Sequence, residues 1–230
     1  KDGVSLAKEV VNKLKNTNKK HFILFPSIHT IFYIKKMIVK KNILLGAQDC
    51  SQFEKGAFTG DVSAKMLSEL GCNYVLIGHS ERRIFYKEDN KIIKKKLSLV
   101  AKENFKVILC VGESEHDYKS GKGKIVINRQ LKNIFPKDFN FDNLVIAYEP
   151  VWAIGTNKIP KHNEINDMHG YIKKKLDTLY KKSNILVIYG GSLNSNNSKS
   201  IFALENVDGG LVGGSSLKSS EFKFIYDTLN

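Results

Sequence analysis

The sequence predicts an α/β protein, specifically a (β/α)8 barrel, on three observations. Short apolar runs alternate with helically spaced segments along the chain, the runs lack polar alternation, and polar residues of chemical interest stand just after nearly every run. Runs apolar on both faces belong to parallel strands covered by helices. Chemistry gathered from the ends of many strands is the habit of a barrel, and no GxGxxG opens the chain to favour an open doubly wound sheet.

The runs lie at residues 21–25, 43–47, 74–77, 107–111, 144–148, 185–189 and 210–212, giving seven candidate strands. Helical spacing follows each in turn, at 30–37, 63–70, 90–104, 124–134, 164–181, 198–204 and 220–229. One more helix, 4–14, precedes the first run and carries Val4, Leu6, Ala7, Val10, Val11 and Leu14 as its apolar residues. Eight helices against seven strands place the barrel's first strand outside the sequence, upstream of Lys1. Residues 1–230 are expected to form a single domain, since 42% hydrophobic content over this length supports one large core.

Composition narrows the function. The apolar runs fall well short of the roughly 20 residues that cross a bilayer, and Lys-Asp-Gly does not open a signal peptide, so the protein is expected to be cytoplasmic with no membrane partner. Cys50, Cys72 and Cys110 are isolated in apolar text and are expected to be buried free thiols. The formal charge of +14 comes from lysine, arginine being confined to Arg82, Arg83 and Arg129. With few arginines and no aromatic stacking platform, no nucleic acid partner is expected. Lys94–Lys96 and Lys173–Lys175 are expected on solvated helix faces, where the positive field would help an anionic substrate arrive.

The segment AYEPVWAIGT, residues 147–156, puts Glu149 where a buried strand leaves the core. A Glu there is either a loop charge or a proton acceptor. The following text favours the acceptor, because Pro150 fixes φ and Ala153, Ile154 and Gly155 form a compact segment able to move as a lid. His79, after the third run, stands where a short helix begins; backbone N–H groups there disfavour its protonation and suit a neutral hydrogen-bond donor. Glu81, Arg82 and Arg83 are expected in ion pairs, within the loop or across an interface. Two glycine-rich turns, Gly190-Gly191-Ser192 and Gly213-Gly214-Ser215-Ser216, follow the last runs, where barrel backbones commonly hold phosphate. Gly121-Lys122-Gly123-Lys124 lacks Walker spacing and receives no nucleotide role, and Asn196-Asn197-Ser198 is read as an idle glycosylation pattern.

Together, GAQDCSQFEKGAFTGDVSAKML, ELGCNYVLIGHSERR, VILCVGES, AYEPVWAIGT, YGGS and VDGGLVGGSSL resemble the triosephosphate isomerase family from about residue 43 to the end. Residues 4–42 fit in pattern only, with Phe25-Pro26-Ser27 where the family often has a double proline. The resemblance implies a TIM barrel that interconverts dihydroxyacetone phosphate and D-glyceraldehyde 3-phosphate through an enediol(ate), with no metal or organic cofactor. It implies Glu149 as base and His79 as neutral electrophile. Pro150, Val151, Trp152, Ala153, Ile154, Gly155, Thr156, Asn157 and Lys158 would form the lid, while Gly155, Ser192, Gly213 and Gly214 would offer amides to the phosphate. It also implies a homodimer, with Thr59 at the tip of loop 56–60 reaching toward the partner. The family's first strand ends in an Asn-x-Lys motif absent from this sequence; Lys1 lacks the preceding Asn and strand and is assigned no catalytic role. Two expectations follow: an isomerase whose lysine segment precedes Lys1, or an impaired homologue serving as a phosphate-ligand binder or structural subunit. A different phosphate-binding barrel enzyme would leave the joint presence of GHSERR and AYEPVWAIGT unexplained.

Overall fold

In the computed structural model, residues 3–14, 20–38, 43–156 and 158–229 are described. Their order is α1 (Gly3–Lys13), β1 (Ile23–Leu24), α2 (Ile31–Ile38), β2 (Leu44–Ala47), α3 (Ala64–Glu69), β3 (Tyr74–Ile77), α4 (Ser80–Phe85), α5 (Asn90–Lys102) and β4 (Lys106–Val111). There follow α6 (Glu115–Lys119), α7 (Gly123–Leu131), β5 (Leu144–Tyr148), α8 (His162–Tyr180), β6 (Leu186–Tyr189), α9 (Ser198–Phe202) and α10 (Ser219–Thr228). The strands pair in parallel in sequence order, β1-β2-β3-β4-β5-β6, as a curled part-barrel sheet with helices outside.

Period-two alternation sorts each strand into two apolar faces. Val75, Ile77, Val107, Leu109, Ile146 and Val187 belong to the main core with Ile93 and Leu97 of α5, Ile127 and Leu131 of α7, and Ile172 and Leu176 of α8. Leu76, Ile108, Cys110 and Ala147 form a separate cluster with Ile23, Val145, Ile188 and Leu211 against them. Burial on both faces explains why these runs carry no polar alternation. The helices start where side-chain caps allow: Ser63 accepts from Met66 N, Asp89 from Lys91 N and Ile92 N, and Ser114 from Asp117 N.

All eight helical segments form, the short helix expected beside His79 is α4, and α6 is added. The seventh expected strand, 210–212, does not form: it is reduced to one parallel bridge, Tyr189 to Gly210. Tyr189 N donates to Gly209 O and Leu211 N to Tyr189 O, after which the chain turns into a 3-10 helix, Gly214–Leu217. The first strand is likewise shorter than expected, holding its register with β2 only at Ile23 and Leu24. Among the described residues no strand lies between Gly210 and β1, and both edges face a cleft of about 1490 Å³.

The lysine expectation also needs correction at one position. Lys96 is 3% exposed, with its ammonium 2.7 Å from Asp49 Oδ1 and 2.6 Å from Glu88 Oε1. Arg82 Nε closes the same cluster, 2.8 Å from Asp49 and 2.7 Å from Glu88. A lysine goes under cover only when paired, and the loops after β2 and α4 bring both carboxylates to it. Cys50, Cys72 and Cys110 are free and buried, as expected. No helix among the described residues is long and apolar enough to cross a membrane.

Candidate active site

Glu149 leaves β5 after its last ladder position and is 2% exposed. Its own N–H donates to Val111 O at 2.8 Å, extending the β4–β5 pairing by one residue. Glycines flank it on both sides. A Cβ on Gly112 would lie 1.7 Å from Glu149 O, which excludes any side chain, and one on Gly190 would lie 3.0 Å from Glu149 Cγ, which would crowd the carboxylate.

Both carboxylate oxygens face the start of α4. Ser80 N donates to Oε2 at 2.9 Å, and His79 Nε2 is 3.0 Å from Oε1. That oxygen is buried without a well-directed donor, so the His79 contact is close but poorly aligned. His79 is the N-cap residue of α4, and its Nδ1 accepts from Glu81 N at 3.4 Å. That bond occupies the Nδ1 lone pair and leaves the proton on Nε2, toward Glu149. Burial pulls the ring's pKa down, but the hydrogen bond and charge of Glu149 push it up more, and the net direction is upward.

The segment after Glu149 is rooted in the loop after β4. Val151–Ala153 form one 3-10 turn, and Val151 N donates to Glu113 O at 3.2 Å. Trp152 Nε1 donates to Glu113 Oε1 at 2.8 Å, sharing that oxygen with Tyr148 OH at 3.0 Å, and its indole stacks on Tyr118 at 4.1 Å. Glu113 is buried, which raises its pKa against the lowering effect of the Trp152 and Tyr148 hydrogen bonds. Ser192 Oγ donates to Ala153 O at 2.5 Å, tying the glycine turn after β6 to this segment. Beyond it Gly155 takes φ +67° and has open space around its Cα, while Thr156 and Lys158 are exposed.

His79, Glu149, Ile154, Gly155, Ser192, Gly213 and Gly214 all line the large cleft. A Cβ at Gly213 or Gly214 would meet nothing within 4 Å, so the backbone there borders open space. Trp152 points away, into the Glu113 pocket. Thr59 sits on the exposed loop 56–60 and does not line the cleft; Asn157 and Lys1 lie outside the described residues. Arg82 is ion-paired as expected, whereas Arg83 forms no ion pair among the described residues of this chain. It donates to three neutral acceptors: Gly78 O at 2.9 Å, Cys110 O at 3.2 Å and Asn90 Oδ1 at 3.3 Å. Among the described residues no group of three His, Cys, Asp or Glu could hold a metal ion.

A carboxylate and an imidazole at hydrogen-bond distance, facing glycine turns across a cleft, suit proton transfer beside a bound anion. The family model for triosephosphate isomerase matches residues 1–229. The chain belongs to the triosephosphate isomerase family. Triosephosphate isomerase of Bacteroides fragilis is 38% identical over 235 residues, covering 100% of this chain and 93% of that protein. The Francisella tularensis subsp. mediasiatica enzyme is 40% identical over 222 residues, covering 94% of this chain and 86% of its own length. The crystal structure of triosephosphate isomerase from Bartonella henselae superposes with TM-score 0.90 at 30% identity, covering 99% of this chain and 92% of that one. The (β/α)8 class of the fold is that of the family.

Several contacts of the site were not legible in advance. Ser80 acts through its backbone N–H, which no residue type announces. Glu113 stands in the VILCVGES block, but its partners Trp152 and Tyr148 come from a different strand and loop.

Proposed function

We propose that Glu149 is the base and His79 the electrophile of a triose-phosphate isomerase, which interconverts dihydroxyacetone phosphate and D-glyceraldehyde 3-phosphate. The observation that carries the reading is the 3.0 Å approach of His79 Nε2 to a buried Glu149 carboxylate at the cleft wall. Glu149 takes the proton from one substrate carbon while Nε2–H of His79 hydrogen-bonds the carbonyl oxygen, giving an enediol(ate). The proton returns to the neighbouring carbon, so no net proton is consumed. The family is itself the standard worked example of this Glu and neutral His pairing and of lid closure over it.

The geometry supports a resting state. Ser80 N–H holds Oε2 of Glu149 and His79 Nε2 lies 3.0 Å from Oε1, so the carboxylate has to turn away from both toward the substrate carbon. Once it carries a proton, its upward pull on the His79 pKa ends, and burial and the Glu81 amide favour the neutral ring. Gly155, Ser192, Gly213 and Gly214 offer the phosphate their amides, and residues 150–158 are the lid. No observation favours the impaired phosphate-binder alternative.

Glu149→Gln tests the assignment. It keeps the shape and removes the basicity, so turnover is expected to fall by roughly 10²–10⁴. Affinity for a phosphate-bearing substrate analogue, read by titration calorimetry, is expected to stay within about threefold. Loss of both together would make Glu149 structural.

We further propose a homodimer in the cytoplasm. Phe85 and Tyr86 at the end of α4 are 73% and 67% exposed, and on loop 56–60 Phe58 stacks on Phe53 at 3.6 Å while staying 40% exposed. Large apolar side chains left exposed in this way suit a protein partner. Sedimentation equilibrium is expected to give twice the chain mass; a stable, fully active monomer would remove Thr59 from any interface.

A further inference from the structure

Gly112 is the first residue beyond β4, and one side chain takes both of its backbone groups. Gly112 N donates to Gln130 Oε1 at 2.9 Å, and Gln130 Nε2 donates to Gly112 O at 2.8 Å. The carboxamide reaches in from α7 and does what a neighbouring strand would do, at a point where the ladder has stopped. Gly112 in turn lies against the peptide of Glu149, close enough that a Cβ would stand 1.7 Å from Glu149 O. On its other side Glu149 is bounded by Gly190, which is held by its own N–H to Tyr148 O at 2.8 Å. The base is thus set between two glycines, one fixed by the sheet and the other by Gln130.

The support continues outward. Asn90 Nδ2 donates to Arg129 O, next to Gln130, and Asn90 Oδ1 accepts from Arg83, which also holds Gly78 O and Cys110 O. One hydrogen-bonded belt therefore runs outside the strand ends, from Gly78, which precedes His79, to Gly112, which abuts Glu149.

We propose that Gln130 is a positioning residue for the isomerisation, acting through Gly112 on Glu149. It touches neither substrate nor the reacting atoms. The inference rests on Glu149 being the base. Rates of proton transfer are steep in geometry, and a misplacement of about 1 Å costs on the order of 10²-fold. Gln130→Glu keeps the acceptor for Gly112 N but turns the donor to Gly112 O into a second oxygen, so it pushes Gly112 off its seat.

The test measures kcat, KM and melting temperature for Gln130→Glu and for Gln130→Met, which removes both bonds without adding charge. Each is made alone and combined with Glu149→Asp, a shortened base. The expected result is a fall in kcat of about tenfold with KM within about twofold, and a much smaller further fall when Glu149 is already shortened. An unchanged kcat, or a full multiplicative loss in the double variant, overturns the proposal. So does failure of both single variants to fold, which would make Gln130 a folding residue. If instead Glu149→Asp alone keeps full turnover, the assignment of the base itself has failed.

Discussion

The half of the cleft built by β3, β4 and β5 is filled with directed bonds, whereas the half built by the turns after β6 and Gly210 is left open. On the first side Glu149 is bound through its N–H and carboxylate Oε2, with His79 Nε2 close to Oε1, and Gly112 beside it admits no side chain. On the second, Gly213 and Gly214 have nothing within 4 Å of where a Cβ would be. The proposed proton-moving groups are held by the protein before any substrate arrives, as preorganised catalysis requires. The proposed anion-binding groups are left for the ligand to fill. Substitutions on the two sides should therefore fail differently, one in stability and turnover, the other in binding.

The largest contrast is expected from Gly112→Ala. Its Cβ cannot coexist with the Glu149 carbonyl, so β4 and β5 must part at their ends, costing about 3 kcal/mol of stability and at least tenfold in kcat. Denaturant unfolding and steady-state kinetics on one preparation check both; a variant with unaltered melting would mean the two backbones are less closely set. Gly214→Ala should show the reverse pattern. Its methyl enters open space, so stability is expected within about 0.5 kcal/mol of the parent, while KM rises roughly tenfold and kcat changes little. A KM equal to the parent's would place the phosphate elsewhere in the cleft.

A slower, pH-driven contrast comes from beneath this open side. His169 of α8 is fully buried against β6, its Nδ1 3.1 Å from Val187 O, and burial pulls its pKa down to about 4. The unfolded chain, titrating at the ordinary value near 6.5, binds the proton first as pH falls. The stability that the neutral ring contributes is therefore complete above about 6.5 and is lost as pH drops toward 4, by roughly 3 kcal/mol at 1.36 kcal/mol per unit. Urea unfolding at pH 7, 5.5 and 4 should show that slope, and His169→Gln should flatten it; an equal slope in the variant would assign the acid loss to other groups.

How far the sequence announced these regions follows the same division. Glu149 was legible because β5 is an unbroken apolar run whose end coincides with the carboxylate, and residues 144–148 formed the strand expected. His79 was legible because a short helix starts beside it. The 210–212 run was misread because an apolar composition marks burial, whereas a strand also needs paired neighbours, and only Tyr189 supplies one. Lys96 looked solvated because its partners, Asp49 and Glu88, lie 47 and 8 residues away and meet it only through the fold. Gln130 carried no signal at all, since its role depends on one backbone lying 1.7 Å from where a side chain would begin.

The Trp152 contact has a spectroscopic consequence. It is the single tryptophan of the sequence, and its ring is fixed between a carboxylate at 2.8 Å and a phenol stacked at 4.1 Å. Emission excited selectively from indole therefore comes from one address, the root of the proposed lid, with no other indole in the sequence contributing background. A shift in its colour or lifetime on adding a triose phosphate would report the departure of that ring from Glu113 and Tyr118 in the unaltered protein, with no label attached.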